Sequence, residues 1–139
     1  MRVLAVDLGT RNIGTAISDE LGISVRPVET VRRSSLERDI ARLKFLVEEL
    51  GAQAVVVGLP LKMDGTVGDA AQKALKFAGK LRAEVTVEVY TEDERLTSYE
   101  ADQIMIGQGL TRKQRKARSD EMAATIILRD FLSRAGEHK

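Results

Sequence analysis

Apolar and polar positions change period several times along the 139-residue chain, and each change marks an element. "MRVLAVDLGT" is an apolar run in which Val3, Leu4, Val6 and Leu8 surround one acid, Asp7, and it reads as a buried strand. Gly9 and Gly14 bracket Thr10, Arg11 and Asn12, a composition that suits a tight turn into a second strand, "IGTAIS". "GISVRPVETVRR" alternates and predicts a third strand, with Pro27 tolerated at an edge or a bulge. In "SSLERDIARLKFLVEELG", Leu36, Ile40, Leu43, Val47 and Leu50 fall at helical spacing, Ser34 and Glu37 are spaced as a capping box, and Gly51 is the stop.

The second half continues in the same way. "AQAVVVGLP" predicts a strand buried on both faces and ended by Pro60, and "VGDAAQKALKFAGKLR" a helix carrying Val67, Ala71, Ala74, Ala78 and Leu81. "EVTVEVY" alternates as the last strand. "TSYEADQIMIGQG" offers a Thr97 to Glu100 capping box, and "SDEMAATIILRDFLSR" closes the chain as a helix capped by Ser119. The order predicts an α/β protein with a mixed five-stranded sheet and helices on both faces, its first, fourth and fifth strands parallel through right-handed crossovers. Without repeats or linkers, residues 1–139 read as one domain.

Sites in such sheets form outside the carboxyl ends of the parallel strands. Those ends carry Asp7, the Gly58 to Pro60 loop and the acidic stretch "TEDERLTS". A carboxylate among apolar residues costs several kcal/mol unless its charge is compensated, so Asp7 calls for a partner. The plain alternative is that it only accepts hydrogen bonds from the following turn. Asp93 and Glu94 are expected at the same edge. Asp120 is a third candidate, because Ala124, Ile127 and Phe131 lie four, seven and eleven residues beyond it on one helix face, and small Ala123 and Ala124 allow close approach to the sheet. Its plain alternative is a first-turn acid that complements the helix dipole.

Composition narrows the chemistry. The chain has no cysteine and its only histidine, His138, lies in the polar tail, so thiolate sites and His-based triads are excluded and carboxylates remain. Three such acids suggest Mg²⁺ or Mn²⁺, and a pair of these ions about 4 Å apart serves phosphodiester hydrolysis by generating a hydroxide nucleophile and stabilising the leaving oxygen. Hydrophobic residues make up 43% and charged residues 31%, with no membrane-length apolar run and no secretory pattern, which predicts a soluble, cytoplasmic protein. Its oligomeric state is not written in composition, and a monomer or weak homodimer is the working expectation.

Lys and Arg total 22 against 21 Asp and Glu, so any attraction for polyanions must be local. "TRKQRKARSD" supplies Arg112, Lys113, Arg115, Lys116 and Arg118 in a segment read as the connection before the last helix, and Arg11, Lys62 and Arg95 fall on the active-edge loops. Nucleic acid is the expected partner. With aromatics at 4%, a base-stacking platform is disfavoured, and structured RNA or branched DNA fits better than single strands.

"VDLGTRNIG", "VVVGLPLKMDGT", "EDERLTSYEA" and "SDEMAATIIL", in this order and spread over nearly the whole chain, resemble the YqgF/RuvX family of RNase H-like nucleases. The resemblance implies an RNase H-like fold and a divalent-metal nuclease that matures the 5′ end of pre-16S rRNA, or alternatively resolves Holliday junctions. It also implies that the family's acidic positions fall on Asp7, Glu94 and Asp120, with Asp93 as the alternative second acid. Many nucleases of the wider superfamily carry an acid at the end of the central strand, where this chain has Gly58, so the acid must come from "EDER". Two rivals stand beside this reading: a non-catalytic RNA-binding ribosome-assembly factor, and a sugar-kinase-like or actin-like nucleotide-binding domain, whose phosphate hairpin also contains "DLGT". The latter closes two domains over its nucleotide, and 139 residues supply one.

Overall fold

The computed structural model describes residues 1–94, 107–109 and 111–137, with 112–121 and 135–137 described by backbone only. The opening meander forms as expected: β1 (Val3–Leu8), β2 (Asn12–Ser18) and β3 (Val25–Arg32) pair antiparallel in sequence. Next come α1 (Leu36–Leu50), β4 (Ala54–Leu59), α2 (Asp69–Glu84), β5 (Glu88–Asp93) and α3 (Arg112–Glu137). The sheet order is β3-β2-β1-β4-β5, with β1, β4 and β5 mutually parallel. Pro27 sits on the edge strand beside a register shift, where the Thr15 hydroxyl donates to Glu29 O and accepts from Glu29 N.

Strand alternation sorts the buried residues into two cores. Leu4, Val6, Val55 and Val57 pack with Leu43, Leu46, Phe77 and Leu81 on the α1/α2 face. Val3, Ala5, Ala16, Ala54 and Val56 pack with Ala124, Ile127 and Leu128 of α3 on the other. The small residues of this second core let the helix lie close to the sheet. By the same alternation, Asp7 and Gly58, each two residues beyond a member of the second core, belong to the α3 face.

Several boundaries differ from the expectation. The cap of α1 is Ser35, whose side chain accepts from Arg38 N, and not Ser34; the Ser34 amide instead donates to buried Asp39, which draws it one residue ahead of the helix. Gly51 does end α1, in the left-handed conformation at φ 65°. Val67 is exposed before α2, and Phe77 supplies the apolar contact. Because α2 continues to Glu84, β5 begins at Glu88, four residues later than "EVTVEVY" begins. The segment "TRKQRKARSD" is helical rather than a loop, so Ser119 is no cap and the first turn of α3 contains no acid, which removes the dipole explanation for Asp120. Arg, Lys, Gln and Ala are good helix formers, and one Ser does not interrupt them. The proposed Thr97 to Glu100 cap lies outside the described residues.

At 26 residues α3 is about 39 Å long, whereas a six-residue strand spans roughly 20 Å. Leu132 lies against Gly22, in the turn beside Met1 at the amino end of β1, and Ile127 lies against Gly58 at the carboxyl end of β4. The helix therefore runs from the carboxyl edge towards the amino edge, and its first half, including the backbone of Asp120, continues past the carboxyl edge. Among the described residues no helix is long and apolar enough to cross a membrane.

Candidate active site

The carboxyl edge is organised by three adjacent strands. Val6 pairs with Val57, so Asp7 and Gly58 follow side by side, and Gly58 pairs in turn with Glu92. The Glu94 amide donates to Leu59 O at 3.1 Å and extends the ladder by one residue. Along β5, Val89 joins the α1/α2 core, while Tyr90 stacks on Phe131 of α3 at 5.3 Å and Glu92 pairs with Arg134 of α3. The even-numbered residues thus face α3, and Glu94 continues that row towards Asp7. Asp93 belongs to the opposite row.

Gly58 makes this meeting possible. A Cβ at that position would stand 2.5 Å from Glu94 Oε2 and 2.6 Å from Ile127 Cδ1, so the carboxyl of Glu94 occupies the space that a side chain on β4 would fill. Glycine inside a strand often marks such a close approach, and its place in "AVVVGLP" was the sequence signal for it.

The electrostatics of the two acids on β5 differ. Glu92 is buried, and Arg134 supplies its counter-charge. Among the described residues no cation pairs with Glu94: burial first, then the Asp7 charge, a hydrogen bond with Asp7 and the Asp93 charge, push its carboxyl up to about 9. At neutral pH the Glu94 carboxyl therefore keeps its proton and donates it to Asp7, itself 9% exposed. The apolar-strand acid has a partner, and that partner is a second carboxyl group. Among the described residues no set of three Asp, Glu, His or Cys side chains forms a metal cluster.

This arrangement sets the pH dependence of stability without metal. The folded pKa of Glu94 lies above the unfolded 4.5, so its contribution is fully present below about pH 4.5 and is lost as pH rises towards 9. By pH 7 the loss is on the order of 3 kcal/mol. Urea denaturation in EDTA should show Glu94→Gln gaining on the wild type by about that amount between pH 4 and pH 7. A constant difference across the range would contradict the shared proton.

The remaining expected residues are distributed as follows. Arg11 is exposed on the β1–β2 turn. Lys62 is exposed on the β4–α2 loop, where its amide donates to Thr66 O and its stem packs against Gly68, the residue before α2. The backbones of Arg112, Lys113, Arg115, Lys116, Arg118 and Asp120 lie on the first half of α3; their side chains, and all of Arg95, lie outside the described residues.

Comparison with known proteins adds a family and a fold. The sequence model of the RuvX family, described as Holliday junction resolvase, matches residues 1–134. A Moorella thermoacetica protein named "Putative pre-16S rRNA nuclease" is 41% identical over 138 residues, covering 99% of each chain. A Clostridium beijerinckii protein of the same name is 42% identical over 132 residues, covering 95% of this chain and 96% of that one. The structure of Thermus thermophilus RuvC in complex with Holliday junction substrate matches with a TM-score of 0.59 at 20% identity, covering 98% of this chain and 96% of that chain. That likeness identifies the fold as RNase H-like.

Proposed function

The chain belongs to the RuvX family, and from that premise we propose that it is a divalent-metal-dependent nuclease that hydrolyses phosphodiester bonds of structured nucleic acid, with the 5′ end of pre-16S rRNA as its substrate. The observation that carries this reading is the Asp7–Glu94 pair, two carboxyl groups joined by one proton at the carboxyl edge of the sheet. A hard divalent cation can replace such a proton and take the same oxygens as ligands, so the residues fit Mg²⁺ or Mn²⁺. Asp7 and Glu94 would hold the ion together with Asp120 from α3, and Asp93 would add charge from the other face. When bound, such ions supply positive charge to the scissile phosphate and to the attacking water.

The chain's own residues supply the rest. Ile127 and the glycine backbone at position 58 hold the Glu94 carboxyl over β4, against Asp7. Arg11 and Lys62, at the same edge, contact substrate phosphates, and the basic first half of α3 extends that contact. Changing Arg112, Lys113, Arg115 and Lys116 together to Ala should weaken binding to all sequences alike and reduce the slope of log affinity on log salt by roughly 0.7 to 0.9 per lost contact. Unchanged affinity and slope in a binding titration would make the segment a solvated helix face.

The functional test is cleavage of a structured RNA carrying the pre-16S 5′ end, a single-stranded RNA and a four-way DNA junction, each with Mg²⁺, with Mn²⁺ and in EDTA. Metal-dependent cleavage of the structured RNA is expected. Cleavage of the junction alone would favour the resolvase activity that the family description names. No cleavage of any substrate at any metal concentration would identify a non-catalytic RNA-binding factor.

A further inference from the structure

A second basic region lies at the β3 side of the carboxyl edge, where the β1–β2 turn meets the β3–α1 junction. Residues 9–12 and 31–39 contain Arg11, Arg32, Arg33 and Arg38, and their only acids are Glu37 and Asp39. The chain as a whole is nearly neutral, with 22 cations to 21 acids, so this excess is local.

The corner is built rather than incidental. The Arg33 amide donates to Arg11 O at 2.8 Å, and its Nη1 donates to Gly9 O at 2.9 Å, so one residue ties the turn after Asp7 to the end of β3. Asp39 lies 3.7 Å from Arg33 Nε with its side chain 4% exposed, and accepts from Ser34 N at 3.1 Å. Its charge is therefore spent inside the junction, holding Arg33, and is not presented to solvent. Arg32 pairs with Asn12, and the Arg38 amide donates to the Ser35 cap, which places Arg11, Arg32 and Arg38 as exposed residues on one rigid corner. At two strand spacings from β1, Arg32 is about 10 Å from the strand that carries Asp7.

We infer that this arginine corner is a phosphate-backbone-binding surface that receives the substrate strand at the β3 side of the carboxyl edge, beside the turn that follows Asp7. The inference rests on the nuclease reading and adds Arg32 and Arg38 to the residues that hold the polyanion. Several exposed, co-located cations suit a repeating phosphate chain, and no aromatic lies in the two segments to read bases.

The test uses Arg32→Ala/Arg38→Ala, which leaves the Arg33–Asp39 pair and every backbone hydrogen bond of the corner in place, and the charge-reversed Arg32→Glu/Arg38→Glu. Binding of an RNA hairpin and of a four-way DNA junction is titrated in EDTA at several salt concentrations, with melting curves to check folding. The double Ala variant should melt as the wild type does, bind roughly tenfold more weakly at low salt and lose about 1.5 from the salt slope, with a larger loss on charge reversal. An effect on both probes supports a surface that reads the shared phosphate backbone; an effect on one alone supports the surface and identifies its substrate. Unchanged slopes on both probes in both variants overturn the inference. Wild-type cleavage with Mg²⁺ is scored in parallel, so failure of the nuclease reading appears as an inert wild type, and failure of the corner appears only in the slopes.

Discussion

Asp7→Asn should lower metal-dependent cleavage on the order of a thousandfold or more while leaving the melting temperature in EDTA at pH 7 equal to or above that of the wild type. The two halves of this expectation share one cause. Asp7 and Glu94 stand together with one proton between them, and the Asp7 charge is among the influences that hold Glu94 far above the ordinary carboxylate range. Neutralising Asp7 removes that influence and the repulsion it expresses, so the metal-free protein loses nothing. It also removes an oxygen donor of the proposed ion site, so Mg²⁺ should raise the melting temperature of the wild type and not of the variant. Glu94→Gln should behave alike. Asp93→Asn should keep most activity, because Asp93 lies on the other row of β5 and acts on Glu94 only through its charge. Should Asp7→Asn instead melt several degrees lower and still cleave, Asp7 would be a turn residue.

Gly58→Ala is expected to reduce cleavage at least tenfold and to cost about 1–3 kcal/mol of stability, although it adds a single methyl group. That methyl would meet Glu94 Oε2 at 2.5 Å and Ile127 Cδ1 at 2.6 Å, both closer than carbon contacts allow. Ile127 is fully buried between α3 and the sheet, whereas Glu94 is at the open edge, so Glu94 is expected to move away from Asp7. The carboxyl would then gain solvent, and its pKa would fall towards the ordinary value. Cleavage assays together with the pH dependence of urea denaturation in EDTA separate this from simple overpacking. Displacement of Glu94 flattens the loss of stability between pH 4 and pH 7, whereas overpacking alone lowers the whole curve and leaves its slope. A variant with wild-type activity and wild-type slope would show that Glu94 does not depend on the space above Gly58.

Much of this was present in local patterns. Asp7 stood out because an acid interrupts an apolar run, and the meander, the helices and the parallel strands followed from periods of two and 3.6 with glycine at their ends. Such signals are carried by near neighbours in the chain and need no knowledge of the fold. Errors arose where a local pattern had two solutions. "EVTVEVY" alternates well enough for a strand, yet packing of Phe77 and Leu81 prolongs α2 and moves β5 towards the acids. "TRKQRKARSD" is polar enough for a loop, yet its residues favour a helix once Ala123 to Leu128 are anchored on the sheet.

The sequence by itself determined the order of the described elements, the parallel placement of β1, β4 and β5, and the convergence of Asp7 with the "EDER" acids on one edge, since strand direction alone brings those ends together. Tertiary structure decided which acid meets Asp7. Adjacent residues of a strand point to opposite faces, so a choice between Asp93 and Glu94 depends on the register of β5 against β4 and on which face α3 covers, and neither is written in any short window. The same holds for Gly58, whose missing side chain has meaning only beside Glu94. It holds again for the arginine corner, where Asp39 of α1, Arg33 and the turn after Asp7 become neighbours because the antiparallel pairing of β2 with β3 returns the chain to the edge from which it started.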